Sequence, residues 1–115
     1  MELKPHSLKI FTAKNWYAEI VLCHRPVLVD FIAPWCRASV LQGDNLQQLA
    51  KDCGSHANVG VLDASEDVGV AVNYRFHDLS TMGFFCQGKL VKFFTGAGRL
   101  EEMKKHLPSL LSDCK

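Results

Sequence analysis

Apolar and polar positions repeat with two different periods along this chain, and the switches between them divide it into elements. Residues 7–11 (SLKIF) alternate every second position, the period of a strand with one buried face. Thr12 is placed to cap an amphipathic helix through residues 13–23 (AKNWYAEIVLC). His24-Arg25-Pro26 ends it, because proline disfavours the helical conformation in the residue before it. Residues 27–33 (VLVDFIA) form a nearly unbroken apolar run rich in β-branched side chains, which predicts a central strand buried on both faces.

Helical spacing returns between Arg37 and Asp52 with Val40, Leu41, Leu46, Leu49 and Ala50. Gly43 predicts a bend there, since glycine inside a helix costs about 1 kcal/mol relative to alanine. Residues 58–64 (NVGVLDA) read as a third strand, and Ser65, Glu66 and Asp67 open a short helix over 65–76, the two acids suiting the positive end of its dipole. Residues 81–86 (TMGFFC) and 90–95 (LVKFFT) flank Gln87-Gly88-Lys89 and predict a β-hairpin. Leu100, Met103, Leu107 and Leu110 mark one face of a final helix over 98–111. The order β-α-β-α-β-α-β-β-α predicts an α/β fold in a single domain, residues 1–115: a central mixed sheet with helices on both faces, closed by an antiparallel hairpin.

Composition narrows the chemistry. Of the 115 residues 48% are hydrophobic and 22% charged, enough for one core. Thirteen Lys and Arg against twelve Asp and Glu leave a net charge of +1 and no basic stripe, so nucleic acid is not expected as a partner. No apolar run reaches the roughly 20 residues that span a bilayer, and residues 1–11 lack the apolar stretch and cleavage site of a signal peptide. No membrane association is expected, and the location expected is cytoplasmic, with a secretory-pathway domain as the alternative. The five cysteines, Cys23, Cys36, Cys53, Cys86 and Cys114, contain no C-x-x-C pair, so neither a zinc knuckle nor a local dithiol is offered, and the odd count leaves at least one thiol free. That pattern suits a reducing compartment, long-range bridges being the alternative. Cys23, Cys53 and Cys86 read as small core or edge residues, and Cys114 as an exposed, mobile thiol whose intermolecular pairing would be incidental. The histidines His6, His24, His56, His77 and His106 have no metal-ligand spacing, so no metal or other cofactor is expected.

The chemistry concentrates in FIAPWCRAS (31–39), where Cys36 follows Pro34-Trp35 and Ser39 stands three residues on. That run at the end of the central strand, Asp30 inside the strand, FFCQGKLVKFFTGAG (84–98) and the element order together resemble the thioredoxin family over nearly the whole chain. The resemblance implies the thioredoxin fold, with a C-x-x-C at the start of the second helix whose first cysteine is the nucleophile. Here that position is Cys36, its thiolate favoured by the unpaired N–H groups of a helix start and by Arg37 beside it. Trp35 is implied as a partly exposed wall of the site. The resolving cysteine corresponds to Ser39, which cannot form the disulfide, so the ordinary dithiol cycle is closed to this chain. Ser39 is then either a plain polar helix residue or a hydrogen-bond donor to the Cys36 thiolate.

Further departures concern the surroundings of that site. The family's cis-proline before the hairpin corresponds to Ser80; a cis bond there would cost about 2.5–4 kcal/mol, so trans is expected, with a changed shape for Leu79, whose backbone the family presents to a substrate strand. The family's kink proline corresponds to Asp44. Its buried acid corresponds to Asp30, but the lysine often seen on the next strand has no counterpart in residues 58–64. Asp30 is read either as a functional acid raised by desolvation or as a satisfied structural carboxylate.

Two functions stay open. One is an atypical monothiol thioredoxin-like protein, with Cys36 forming mixed disulfides in weak thiol–disulfide exchange or isomerisation. The other is a redox-inactive protein-binding module of the same fold, using Trp35, Arg37, Leu79 and Ser80. The partners implied are protein thiols, protein disulfides or glutathione. A monomer is expected, with a disulfide-linked dimer as the alternative.

Overall fold

The computed structural model describes residues 8–32, 45–75 and 80–114. Strands β1 (Lys9–Phe11), β2 (Val27–Ile32), β3 (Asn58–Asp63), β4 (Thr81–Cys86) and β5 (Lys89–Thr95) form one mixed sheet in the order β1-β3-β2-β4-β5. β1, β3 and β2 run parallel, β4 is antiparallel to β2, and β5 is antiparallel to β4. Helices α1 (Asn45–Cys53), α2 (Val68–Asn73) and α3 (Arg99–Asp113), together with a π-helical turn at Tyr17–Val21, cover the sheet.

β2 lies in the middle of this sheet and all six of its residues are buried, as its unbroken apolar run requires. Alternation along the strand divides them between two cores. Val27, Val29 and Phe31 pack with Phe11, Trp16, Ile20, Leu62, Val70 and Phe85 on the face of the π-helical turn and α2. Leu28 packs with Leu46, Leu49, Met82, Phe84, Met103 and Leu107 under α1 and α3. Trp16 is the hub of the first core, its ring centroid lying 5.5–6.4 Å from those of Phe11, Phe31, Tyr74 and Phe85. Gly60 of β3 makes room for this arrangement, because a Cβ there would stand 2.5 Å from the Phe11 ring.

Two helices are shorter than their sequence patterns predict. In residues 13–23 only the turn Tyr17–Val21 is helical, with the Leu22 N–H reaching five residues back to the Tyr17 carbonyl at 2.9 Å. Thr12 caps this segment as its position predicts: Thr12 Oγ1 accepts the Asn15 N–H at 3.3 Å, Asn15 Oδ1 accepts the Thr12 N–H at 2.7 Å in return, and the Ala13 N–H goes to Asp67 at 2.9 Å. At the other end the hairpin tip presses against the chain, so that a Cβ on Gly88, whose φ is +82°, would stand 2.5 Å from the Val21 carbonyl oxygen. Helix α2 starts at Val68 rather than Ser65, because the Ser65 N–H and hydroxyl both donate to Asp63 Oδ1, at 2.9 and 2.6 Å, and form a turn instead of a cap. The bend predicted at Gly43 lies outside the described residues.

Cys86 and Cys114 are joined by a disulfide, in place of the unpaired edge residue and mobile thiol read from the sequence. The cause is the length of α3. Its 15 residues pack on β4 through Met103 and Leu107 and carry Cys114 back to the end of β4, where the two Cα atoms are 5.8 Å apart, within the span of a disulfide. Cys23 and Cys53 are free thiols. The bridge encloses β5 and α3, a loop of 28 positions for which chain entropy predicts a stabilisation of about 3.5 kcal/mol. Replacing both cysteines by serine should lower the unfolding free energy by about that amount in urea titration, and an unchanged midpoint would contradict it.

Candidate functional site

β2 ends at Ile32, two residues before Pro34 in the sequence, at the pole where β1, β2 and β3 have their C-terminal ends. Open sheets with parallel strands place their binding and reacting groups at that pole. Trp35, Cys36, Arg37, Ser39 and Leu79 lie outside the described residues. Asp30 and Ser80 lie within them, and the structure connects the two.

Asp30 sits in mid-strand, opposite Val61 of β3 on one side and Met82 of β4 on the other. Its side chain is 2% exposed and faces Arg99, itself 12% exposed, from the first turn of α3. Arg99 donates from Nε to Oδ1 at 2.6 Å and from Nη2 to Oδ2 at 2.9 Å, the two-pronged geometry that suits guanidinium and carboxylate. The cation sought on β3 therefore comes from the last helix. Arg99 Nη1 also donates to the Gly96 carbonyl at 3.0 Å, and the Gly96 N–H donates to the Ser80 carbonyl at 2.9 Å. A continuous polar path thus runs from Asp30 in the central strand through Arg99 and Gly96 to Ser80, the residue after Leu79. Ser80 is buried, and its carbonyl fixes the start of β4 against the β5–α3 connection.

Burial pushes the Asp30 carboxyl above its ordinary value of 3.8, while the hydrogen bonds and charge of Arg99 pull it down, burial being the larger effect. The arginine stands at a helix N-terminus, where a cation opposes the dipole. Asp30 offsets this, together with Glu101 and Glu102 in the same turn. Protonating Asp30 would weaken the two charge-assisted bonds from Arg99, which is how the arginine opposes the effect of burial. Arg99 was missed from the sequence, although it left a trace. It occupies the apolar stripe of α3, four residues before Met103 and eight before Leu107, where a solvated arginine has no reason to be.

Among the described residues no group of His, Cys, Asp and Glu is arranged to hold a metal ion, and no helix is long and apolar enough to cross a membrane. His24, His56 and His106 are exposed, and His6 and His77 lie outside the described residues.

Removing Arg99 would leave a buried carboxylate without its cation, so Arg99→Met should cost about 3–5 kcal/mol at neutral pH. Because the folded pKa of Asp30 lies above its unfolded value, the folded state binds the extra proton between the two, and the contribution of this group to stability rises as pH falls through that window. Loss of Arg99 extends the window upward, so the deficit of Arg99→Met should shrink on acidification. The double variant Asp30→Leu with Arg99→Met should recover most of the loss. Urea titrations of the three proteins at several pH values check this, and a deficit independent of pH would refute it.

The thioredoxin family model matches residues 7–109. Curated relatives include the thioredoxin of Chlorobaculum thiosulfatiphilum, 35% identical over 86 residues that cover 75% of this chain and 80% of that protein. The thioredoxin of Griffithsia pacifica is 28% identical over 99 residues, covering 83% of this chain and 91% of that one. The thioredoxin of Mycobacterium tuberculosis is 27% identical over 111 residues, covering 93% and 95%. The matched span takes in the whole five-stranded mixed sheet and most of α3, and the chain belongs to the thioredoxin family.

Proposed function

We propose that this chain is a monothiol member of the thioredoxin family, in which Cys36 exchanges disulfides with protein thiols or glutathione. Thiol–disulfide redox chemistry in general is supported by the family. The restriction to one thiol is our own reading, and the observation that carries it is Ser39 three residues after Cys36. In this reading the Cys36 thiolate attacks a glutathionylated protein at the glutathione sulfur, releases the protein thiolate, which takes a proton from water, and keeps glutathione as a mixed disulfide. A second glutathione then attacks that disulfide, leaves as glutathione disulfide and restores Cys36. The pairing of Asp30 with Arg99 supports this reading. In the family the buried acid handles the proton of the resolving thiol, and a chain without that thiol loses nothing by committing the carboxylate to an ion pair. Arg37 and Ser39 are assigned to stabilising the Cys36 thiolate, and Trp35 and Leu79 to contact with the partner.

A second reading, a redox-inactive binding module, is favoured by Ser80, which stands where the family has its cis-proline and has its carbonyl committed to Gly96. Turnover of a glutathionylated peptide by excess glutathione separates the two. The wild-type chain should exceed Cys36→Ala by at least about tenfold. Equal rates would overturn the monothiol enzyme and leave the binding module.

A further inference from the structure

Cys23, Cys53, Cys86 and Cys114 gather at the pole of the sheet where β2 begins. Cys86 ends β4 beyond Phe85, which pairs with Val27, the first residue of β2. Cys114 follows the last turn of α3, Cys53 closes α1, and Cys23 precedes β2. The Cys86–Cys114 disulfide is therefore separated from the end of β2 by the length of that strand, about 20 Å for six residues.

We propose that Cys86–Cys114 is a second thiol–disulfide exchange site, at which an external dithiol takes this chain as its substrate, with Cys114 the sulfur attacked and Cys86 the sulfur that leaves. Both cysteines are only partly buried, at the rim of the core under α3. Exchange is faster when the departing thiol is the more acidic one, and the surroundings of the two sulfurs differ in that respect. Cys86 pairs across the hairpin with Lys89, whose ammonium favours a thiolate at Cys86. Cys114 follows Asp113 at the negative end of α3, whose last turn holds no basic residue, and both features disfavour a thiolate there.

The free thiols at this pole do not compete for the bond. Cys53 borders the same core, but burial and the Asp52 carboxylate push its thiol up, which keeps it protonated. Cys23 packs against the other face of the sheet, its sulfur 3.7 Å from the Asn58 amide nitrogen. The attacking group is therefore external. Its thiolate bonds to Cys114 Sγ as the Sγ–Sγ bond breaks, and Cys86 departs as thiolate and takes a proton from water. The second thiol of the donor then attacks the donor sulfur of the mixed disulfide and releases Cys114. Two electrons pass to the pair, the donor becomes a disulfide, and the end of α3 is no longer bonded to β4.

The test uses the folded Cys36→Ser chain, so its outcome does not depend on the function proposed for Cys36. Brief exposure to reduced glutathione, quenching with iodoacetamide and peptide mapping should find glutathione on Cys114 and the alkyl group on Cys86, in about fivefold excess over the reverse. Lys89→Glu should slow the step several-fold, and Lys115→Ala should leave the site of attack unchanged. With dithiothreitol both cysteines should become alkylated while the far-ultraviolet circular dichroism stays folded. A disulfide that reacts only in denaturant, or glutathione found equally on both cysteines or mainly on Cys86, would overturn the proposal.

Discussion

Two short hydrogen bonds between Arg99 and Asp30 hold the central strand to the last helix, and the rest of the described site hangs from them. Asp30 interrupts a strand that is otherwise apolar and buried on both faces. An isolated carboxylate there would be driven to its neutral form or would destabilise the sheet. The guanidinium that meets it arrives from 69 residues further along the chain and carries two more contacts with it, through Gly96 to the carbonyl of Ser80. Strand β2, which leads into the Cys36 segment, and strand β4, which starts after Leu79, are thereby fixed to each other by polar bonds as well as by their ladder.

The parts of the fold legible in the sequence were those with a local cause. The apolar run at 27–33 became the buried β2, Gln87-Gly88 became a hairpin turn with positive φ at both residues, and the stripe Leu100, Met103, Leu107 became the packed face of α3. Patterns misled where side chains competed with the backbone. Residues 65–67 have the composition of a helix start, but the Ser65 N–H and hydroxyl bond to Asp63 and the helix begins at Val68, whereas Thr12 does cap its segment by exchanging bonds with Asn15. Hidden altogether were the contacts between residues distant in sequence. Nothing local to Asp30 announces Arg99, and nothing local to Cys86 announces Cys114, 28 positions away, because both depend on how far α3 runs and which face it buries. Of the site residues read from the sequence, the structure relates Asp30 and Ser80 to one another and adds Arg99 to them.

These features describe a thioredoxin frame divided into two chemically different poles. One pole carries the polar path from the buried, ion-paired Asp30 through Arg99 and Gly96 to Ser80. The other carries a complete disulfide that bonds the final helix to the hairpin. The ion pairing of Asp30 is consistent with the monothiol function proposed above, in which Ser39 stands where a second cysteine would need a proton-handling acid.

The charge state of Cys36 decides most directly whether it acts as a thiol nucleophile. Its reaction with iodoacetamide can be followed against pH in a chain with Cys23 and Cys53 replaced by alanine and the Cys86–Cys114 disulfide left intact, so that a single thiol responds. A titration midpoint well below the unperturbed value of about 8.5 is the result the proposed monothiol function predicts. A midpoint at or above that value would contradict it.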